Sequence, residues 1–232
     1  MCGRFVLKAS REELEALFGY LDREDFPPRY NIAPTQPIAV VRMLHGARRY
    51  ALVRWGLVPG WVKDPREFGL VINARSESAP RNNAFKGALQ YRRCLVPASG
   101  FYEWQKRERG PKQPYFVRPR EGSVVAFAGL WETWMGSNGS EIDSGCILTT
   151  AANDVVAPIH NRMPVVIAPQ DYERWLTAGD DVTDLLRPAP DALMEAIPVS
   201  DRVNKAENDD PGLIARAMVS DSASDLPLFQ RS

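Results

Sequence analysis

Cysteine at position 2 has chemistry open to it that no internal cysteine shares. The chain begins Met1-Cys2-Gly3-Arg4, and a small residue at position 2 permits removal of the initiator methionine. Cys2 would then carry a thiol and an α-amine on adjacent carbons. An α-amine titrates at about 8, so roughly a tenth of it is neutral and nucleophilic at pH 7. A free thiol at about 8.5 is only a few per cent thiolate there. An aldehyde can be taken by the amine as an imine and then by the sulfur, closing a five-membered thiazolidine. The plain reading is a small buried residue at the start of a strand. The residue types leave both open.

Other residues could assist such chemistry. The chain has two histidines. His45 sits beside Gly46 in a turn-like stretch and reads as solvated. His160, in Ala157-Pro158-Ile159-His160-Asn161-Arg162-Met163-Pro164, is placed between a turn and a β-rich run, and histidine suits proton transfer near neutral pH. A lone histidine can equally be structural. Glu103 interrupts the aromatic run Phe101-Tyr102-Glu103-Trp104. Aromatic surroundings would desolvate its carboxyl and favour the proton-donating form, whereas strand alternation could instead turn it to solvent. Asn73 follows a buried run and could orient a substrate oxygen or the Cys2 amine through its amide, or simply make a turn. Arg4, Arg75 and Arg162 each lie within two residues of a candidate group and suit bidentate phosphate contact. Pro34 and Trp61, both on loops, could wedge between or stack on bases; core packing is the ordinary role of a tryptophan.

Composition narrows the classes. At 232 residues with 44% hydrophobic and 25% charged residues, the chain reads as an ordinary globular protein. No apolar run approaches the ~18 residues needed to span a bilayer, and Arg4 and Lys8 interrupt any signal-peptide pattern. Cys2, Cys94 and Cys146 lack metal-type spacing, so neither a zinc site nor a disulfide framework is expected. No metal, cofactor or membrane partner is expected, and the reading is an intracellular, reduced protein, cytoplasmic or nucleoid-associated, and monomeric. The net charge is zero, yet residues 1–120 hold 22 Lys+Arg against 11 Asp+Glu while residues 121–232 hold 7 against 18. That asymmetry fits a basic face for an anion such as nucleic acid, or pairing of the two halves across the fold.

The elements that must position these residues are short. A first strand spans roughly Gly3 to Leu7. Ser10 and Glu13 form a capping-box pattern before a helix over about 11–21. The stretch 26–31 is irregular because of Pro27-Pro28. Runs 37–43 and 49–55 flank His45-Gly46 as a hairpin. Leu70-Val71-Ile72 reads as a strand, and 82–91 as a helix. Strands follow over 94–97, 101–106, 115–118, 124–131 and 142–149. Asn153 caps a turn, 163–168 is a strand, and Asp171 opens a helix through Leu176. The last third is mixed and polar. The expected class is α+β, one domain over 1–220 with a barrel-like, mainly antiparallel β core, peripheral helices and a loose tail at 221–232.

In order along the chain, MCGRF, YNIAPTQ, RWGLVPGWVKD, INARSES, YRRCLVPASGFYEWQ, APIHNRMPVV and VSDRVNKAENDDPGLI resemble the SRAP family, the SOS response-associated peptidase domain of abasic-site-processing proteins. The resemblance implies that Cys2, freed of Met1, crosslinks as a thiazolidine to the ring-opened aldehyde of an abasic site in single-stranded DNA. It implies that Asn73, Glu103 and His160 complete the active site. Arg4, Arg75 and Arg162 would contact phosphates, with Pro34 and Trp61 in the DNA groove. Self-cleavage of Met1 would belong to the same machinery. Two other classes remain: an N-terminal-nucleophile cysteine amidohydrolase, which also begins Met-Cys-Gly, and a non-covalent single-stranded DNA binder in which Cys2 merely packs.

Overall fold

A computed structural model describes residues 2–20, 22, 26–177, 179 and 181–218. In chain order these form β1 (Phe5–Leu7), α1 (Arg11–Phe18), β2 (Arg29–Ile32), β3 (Pro37–Leu44), β4 (Ala47–Trp55), β5 (Asn73–Arg75), α2 (Lys86–Tyr91) and β6 (Arg93–Ala98). There follow β7 (Gly100–Gln105), β8 (Gln113–Pro119), β9 (Val125–Met135), β10 (Glu141–Ala151), β11 (Arg162–Pro164), β12 (Val166–Ile167), α3 (Tyr172–Leu176) and β13 (Met194–Pro198). Strands β4, β3, β6, β9 and β10 close on one another as a barrel. Its pairings are antiparallel except β10 with β4, which run parallel from Ser144↔Arg54. A second sheet, ordered β13-β8-β7-β1-β2, lies against it and is antiparallel throughout. The expected α+β class with a barrel-like core is what the chain forms.

The second sheet explains the aromatic run. Phe5 and Phe101 face the barrel, where Phe5 meets Trp55 edge-on at 5.2 Å and Phe101 meets Phe127 at 5.9 Å. Val6 and Tyr102 face the other way, into a smaller core with Phe116, Ile197, Val199, Val203 and Leu213. Both faces of the sheet are therefore covered, so alternation selects between two interiors rather than between interior and water. Gly100 lets β7 start here. Its φ is +147°, and a Cβ would stand 2.5 Å from the Val117 carbonyl oxygen.

Differences from the expected elements have local causes. The capping box at Ser10 and Glu13 forms, but the helix stops at Phe18 because Gly19 takes the left-handed conformation, φ 66°. The 26–31 stretch runs into β2, which begins directly after the prolines at a sheet edge, where they are tolerated. The strand expected at 70–72 starts at Asn73 instead, and Leu70 is exposed. Asn82 does not open a long helix. Its Oδ1 accepts from Ala84 N at 2.9 Å, and α2 begins at Lys86. The strand at 163–168 splits at Val165, which bonds Leu148 on one side and Ala128 on the other. β13 was unreadable in the polar last third. The tail expected to be loose, 221–232, lies outside the described residues.

Cys94 on β6 and Cys146 on β10 are buried in the barrel. Burial pushes both thiols up, that of Cys146 to about 12. The unfolded chain releases these protons from about pH 8.5 upward while the folded chain keeps them. Fewer protons on the unfolded state mean that stability falls as pH rises, by about 1.4 kcal/mol per pH unit for each thiol. Urea unfolding is expected to show that loss above about pH 8.5, with a slope shallower by about 1.4 kcal/mol per unit in Cys146→Ala. An identical pH slope in the variant would contradict it.

Candidate functional site

Cys2 lies three residues before the start of β1 and is wholly buried. Its Sγ donates weakly to the Arg4 carbonyl oxygen at 3.8 Å, and its own carbonyl oxygen accepts from Asn73 Nδ2 at 2.7 Å. Asn73 is delivered by β5, which pairs parallel to β10 through Ile147↔Asn73. The other end of that amide, Oδ1, is buried with no hydrogen-bond partner among the described residues. An acceptor left open in this way is set for a donor on its neighbour.

β7 brings the carboxylate. Antiparallel pairing of Phe5 with Phe101, and the bond from Tyr102 N to the Arg4 oxygen at 3.0 Å, carry the register on so that Glu103 comes level with Gly3. Glu103 is 3% exposed. The solvent-facing alternative for this residue is thus excluded, because the barrel covers its face of the sheet. Burial pushes the Cys2 thiol far above its ordinary range, and the Glu103 carboxylate adds to that. The resting sulfur is therefore protonated, and any attack by it needs a base to take the proton.

His160 arrives from a turn capped by Asn153, whose Oδ1 accepts from Val156 N at 3.1 Å. The turn is tied to β7 where Gln105 Nε2 donates to the Pro158 oxygen at 3.1 Å. His160 Nδ1 accepts from Arg162 N at 3.0 Å and lies 3.9 Å from Glu103 Oε1. The carbonyl oxygen of Arg162 also lies 3.3 Å from Nδ1, and which ring nitrogen carries the proton follows the tautomer. Cys2, Asn73, Glu103 and His160, spread over almost 160 positions of sequence, are brought together in one place.

An open cleft of about 620 Å³ adjoins them, lined by Arg75, Glu77, Ser78, His160, Asn161 and Arg162. Arg75 is exposed at the end of β5. Arg162 is held by β11, and its Nη2 donates to the Thr149 oxygen at 2.5 Å. Both its terminal nitrogens also meet the Glu77 carboxylate, at 2.6 and 3.0 Å. Arg4 is turned elsewhere: it donates to Asn31 Oδ1 at 2.9 Å and to the Val203 oxygen at 2.8 Å. Pro34 and Thr35 occupy a tight turn closed by Gln36 N to the Ala33 oxygen at 3.3 Å, with Thr35 at φ 71°. Trp61 is 63% exposed on its loop and touches Phe68 edge-on at 5.9 Å.

Two residues that hold the candidate arginines escaped the reading of the sequence. Asn31, buried, donates from one amide to the oxygens of Val203, Lys205 and Asn208 while accepting from Arg4. It clasps residues 203–208 to β2. Glu77 lies in the turn after β5, and its partner Arg162 comes from across the fold. Among the described residues no group of three or more His, Cys, Asp or Glu is placed to hold a metal ion, and no helix is long and apolar enough to cross a membrane.

Known proteins resemble this chain over most of its length. The sequence model of the family described as SOS response associated peptidase (SRAP) matches residues 1–206. The abasic site processing protein YoqW of Bacillus subtilis is 35% identical over 221 residues, covering 92% of this chain and 99% of that protein. YoaM of the same organism, also an abasic site processing protein, is 34% identical over 221 residues, covering 92% and 97%. A crystal structure of a protein from Bacteroides thetaiotaomicron superposes with a TM-score of 0.83 over 94% of this chain and 100% of that one; at 22% identity it speaks to the fold alone.

Proposed function

The chain belongs to the SRAP family, and from that premise we propose that it processes abasic sites in single-stranded DNA by capturing them covalently at Cys2. The observation that carries this reading is the burial of a thiol at the start of the chain beside a buried carboxylate, at the edge of a cleft lined by arginines. The relatives' names supply the substrate.

The reaction begins when hydrolysis of the Met1–Cys2 bond frees the α-amine. Asn73 Oδ1, the open acceptor, receives a hydrogen bond from that amine and orients it. An abasic deoxyribose is mostly a closed hemiacetal, and His160 donates the proton that assists its opening to the aldehyde. The amine adds to the aldehyde carbon, and loss of water gives an imine. Sulfur then adds to the same carbon while its proton passes to Glu103, which hands it on to the former imine nitrogen as the ring closes. The net change is aldehyde plus amine plus thiol to thiazolidine plus water. The protonated resting thiol makes the amine the first nucleophile, because sulfur acts only once Glu103 can accept its proton. Arg75 and Arg162 hold phosphates of the strand, with Arg4 as a third contact reached by releasing its hold on Asn31 and Val203. Trp61 stacks on a base and Pro34 wedges beside one. Enclosure slows hydrolysis of the linkage. The same groups are suited to cleaving Met1 from the chain itself.

The test mixes Met1-free protein with single-stranded oligonucleotides, with and without an abasic site, on denaturing gels. A heat-resistant shifted band with abasic DNA alone is expected. Its absence sinks covalent capture and leaves the non-covalent binder, while glutamine hydrolysis without a shift points to an amidohydrolase.

A further inference from the structure

We propose that Glu77 is an internal stand-in for a DNA phosphate: its carboxylate occupies the guanidinium fork of Arg162 and must be displaced by the strand, setting the affinity and salt dependence of the cleft. This rests on the reading of the cleft as a DNA site. Carboxylate and phosphate compete for an arginine because both offer two oxygens to its paired N–H groups. Glu77 uses both, with Oε1 accepting from Nη1 at 2.6 Å and Oε2 from Nη2 at 3.0 Å. The arginine has no second edge to offer. Its Nε is buried, without a hydrogen-bond partner among the described residues, so the edge covered by Glu77 is the one a strand can reach.

The two partners differ in their freedom to move. The Arg162 side chain is 15% exposed and anchored on the Thr149 oxygen, whereas that of Glu77 is 54% exposed. The backbone beneath Glu77 is fixed by Ser76 N to the Thr149 oxygen at 2.9 Å and Ser78 N to the Arg75 oxygen at 3.1 Å. A side chain on that turn can swing into solvent without disturbing β5. When a phosphate enters, it is therefore Glu77 that leaves. The hydrogen bond from Arg162 holds the Glu77 carboxyl below the usual range, with Arg75 a smaller contributor. The competitor is thus charged at neutral pH.

Neutralising an arginine in advance has a measurable signature. A free cation meeting a single strand releases condensed counterions and adds about 0.7 to the slope of log affinity against log salt. An arginine already paired to Glu77 adds little. Binding of an intact thymidine oligonucleotide, which has no aldehyde, should be followed by anisotropy across a salt series. Glu77→Gln and Glu77→Ala are both expected to bind about two- to fivefold tighter, the range of a weak surface ion pair, with a slope steeper by about 0.7. In an Arg162→Gln background the gain should vanish. Weaker binding by the Glu77 variants would mean that Glu77 supports Arg162 rather than competing with phosphate, and would overturn the proposal. So would an unchanged slope, or a gain that persists without Arg162. If wild-type protein captures abasic DNA while the Glu77 variants behave like it, the inference alone fails. If wild type neither binds nor captures, the reading of the site fails with it.

Discussion

Replacing Cys2 with alanine is expected to take heat-stable capture of abasic DNA from near completion to background, while an imine that borohydride can trap still forms. Alanine is small enough to permit loss of Met1, so the α-amine survives the substitution and only the sulfur is removed. The reaction is thereby split at its midpoint. An imine hydrolyses readily in water; the ring does not, because sulfur has taken the electrophilic carbon. Cys2→Ser should fall between the two, since a hydroxyl is a poorer nucleophile and its oxygen ring opens more easily. The substitution is mild for the fold, a thiol exchanged for a hydrogen in a small buried space, at about 1 kcal/mol. The measurement is a denaturing gel with and without borohydride, after mass spectrometry has established that Met1 is absent. A Cys2→Ala adduct as heat-stable as that of wild type would remove sulfur from the mechanism.

Glu103→Gln should slow capture by about 10²–10⁴, the usual worth of a positioned general acid–base group. Glutamine keeps the shape and the hydrogen-bonding capacity of the side chain but cannot accept the thiol proton. The reverse reaction should slow by a similar factor, since release of the aldehyde returns that same proton. A second readout separates proton transfer from plain electrostatics. The Glu103 carboxylate helps hold the Cys2 thiol protonated, so its neutralisation brings the thiol down, although burial still keeps it raised. Alkylation of Cys2 by a small reagent should then begin at lower pH in Glu103→Gln than in wild type, even as capture collapses. Near-normal capture by the variant would rule out Glu103 as the proton acceptor.

How far the residues speak for themselves varies along the chain. The capping box at Ser10, the hairpin at His45-Gly46 and the five strands from Cys94 to Thr149 follow from local patterns and are present with shifted ends. The closing of β10 on β4 does not, because nothing at Ser144 or Arg54 marks a parallel neighbour. Cys2 is ambiguous between nucleophile and core residue for a physical reason: its complete burial meets the second description without excluding the first. Glu103 was ambiguous because alternation tells which face a residue takes but not what covers that face. The segment 199–213, which packs on the outer face of β7 through Val199, Val203 and Leu213, is far away in sequence and polar in composition. Arg4 illustrates the reverse. Its spacing from Cys2 suggested a phosphate, yet it is engaged by Asn31 and Val203, partners that proximity in sequence could not reveal.

The first strand of the chain is the fourth of its sheet, seated between β7 and β2. On a ribosome, residue 2 therefore emerges well before the neighbours that enclose it, and His160 follows roughly 160 residues later, on the order of ten seconds at ordinary elongation rates. Throughout that interval the first peptide bond is open to an aminopeptidase. Once the sheets close, Cys2 is fully buried, and an outside enzyme has to contend with a finished protein. Under the proposed chemistry, removal by such an enzyme is a race against the growth of the chain, and a molecule that folds with Met1 in place is left to its own cleaving groups.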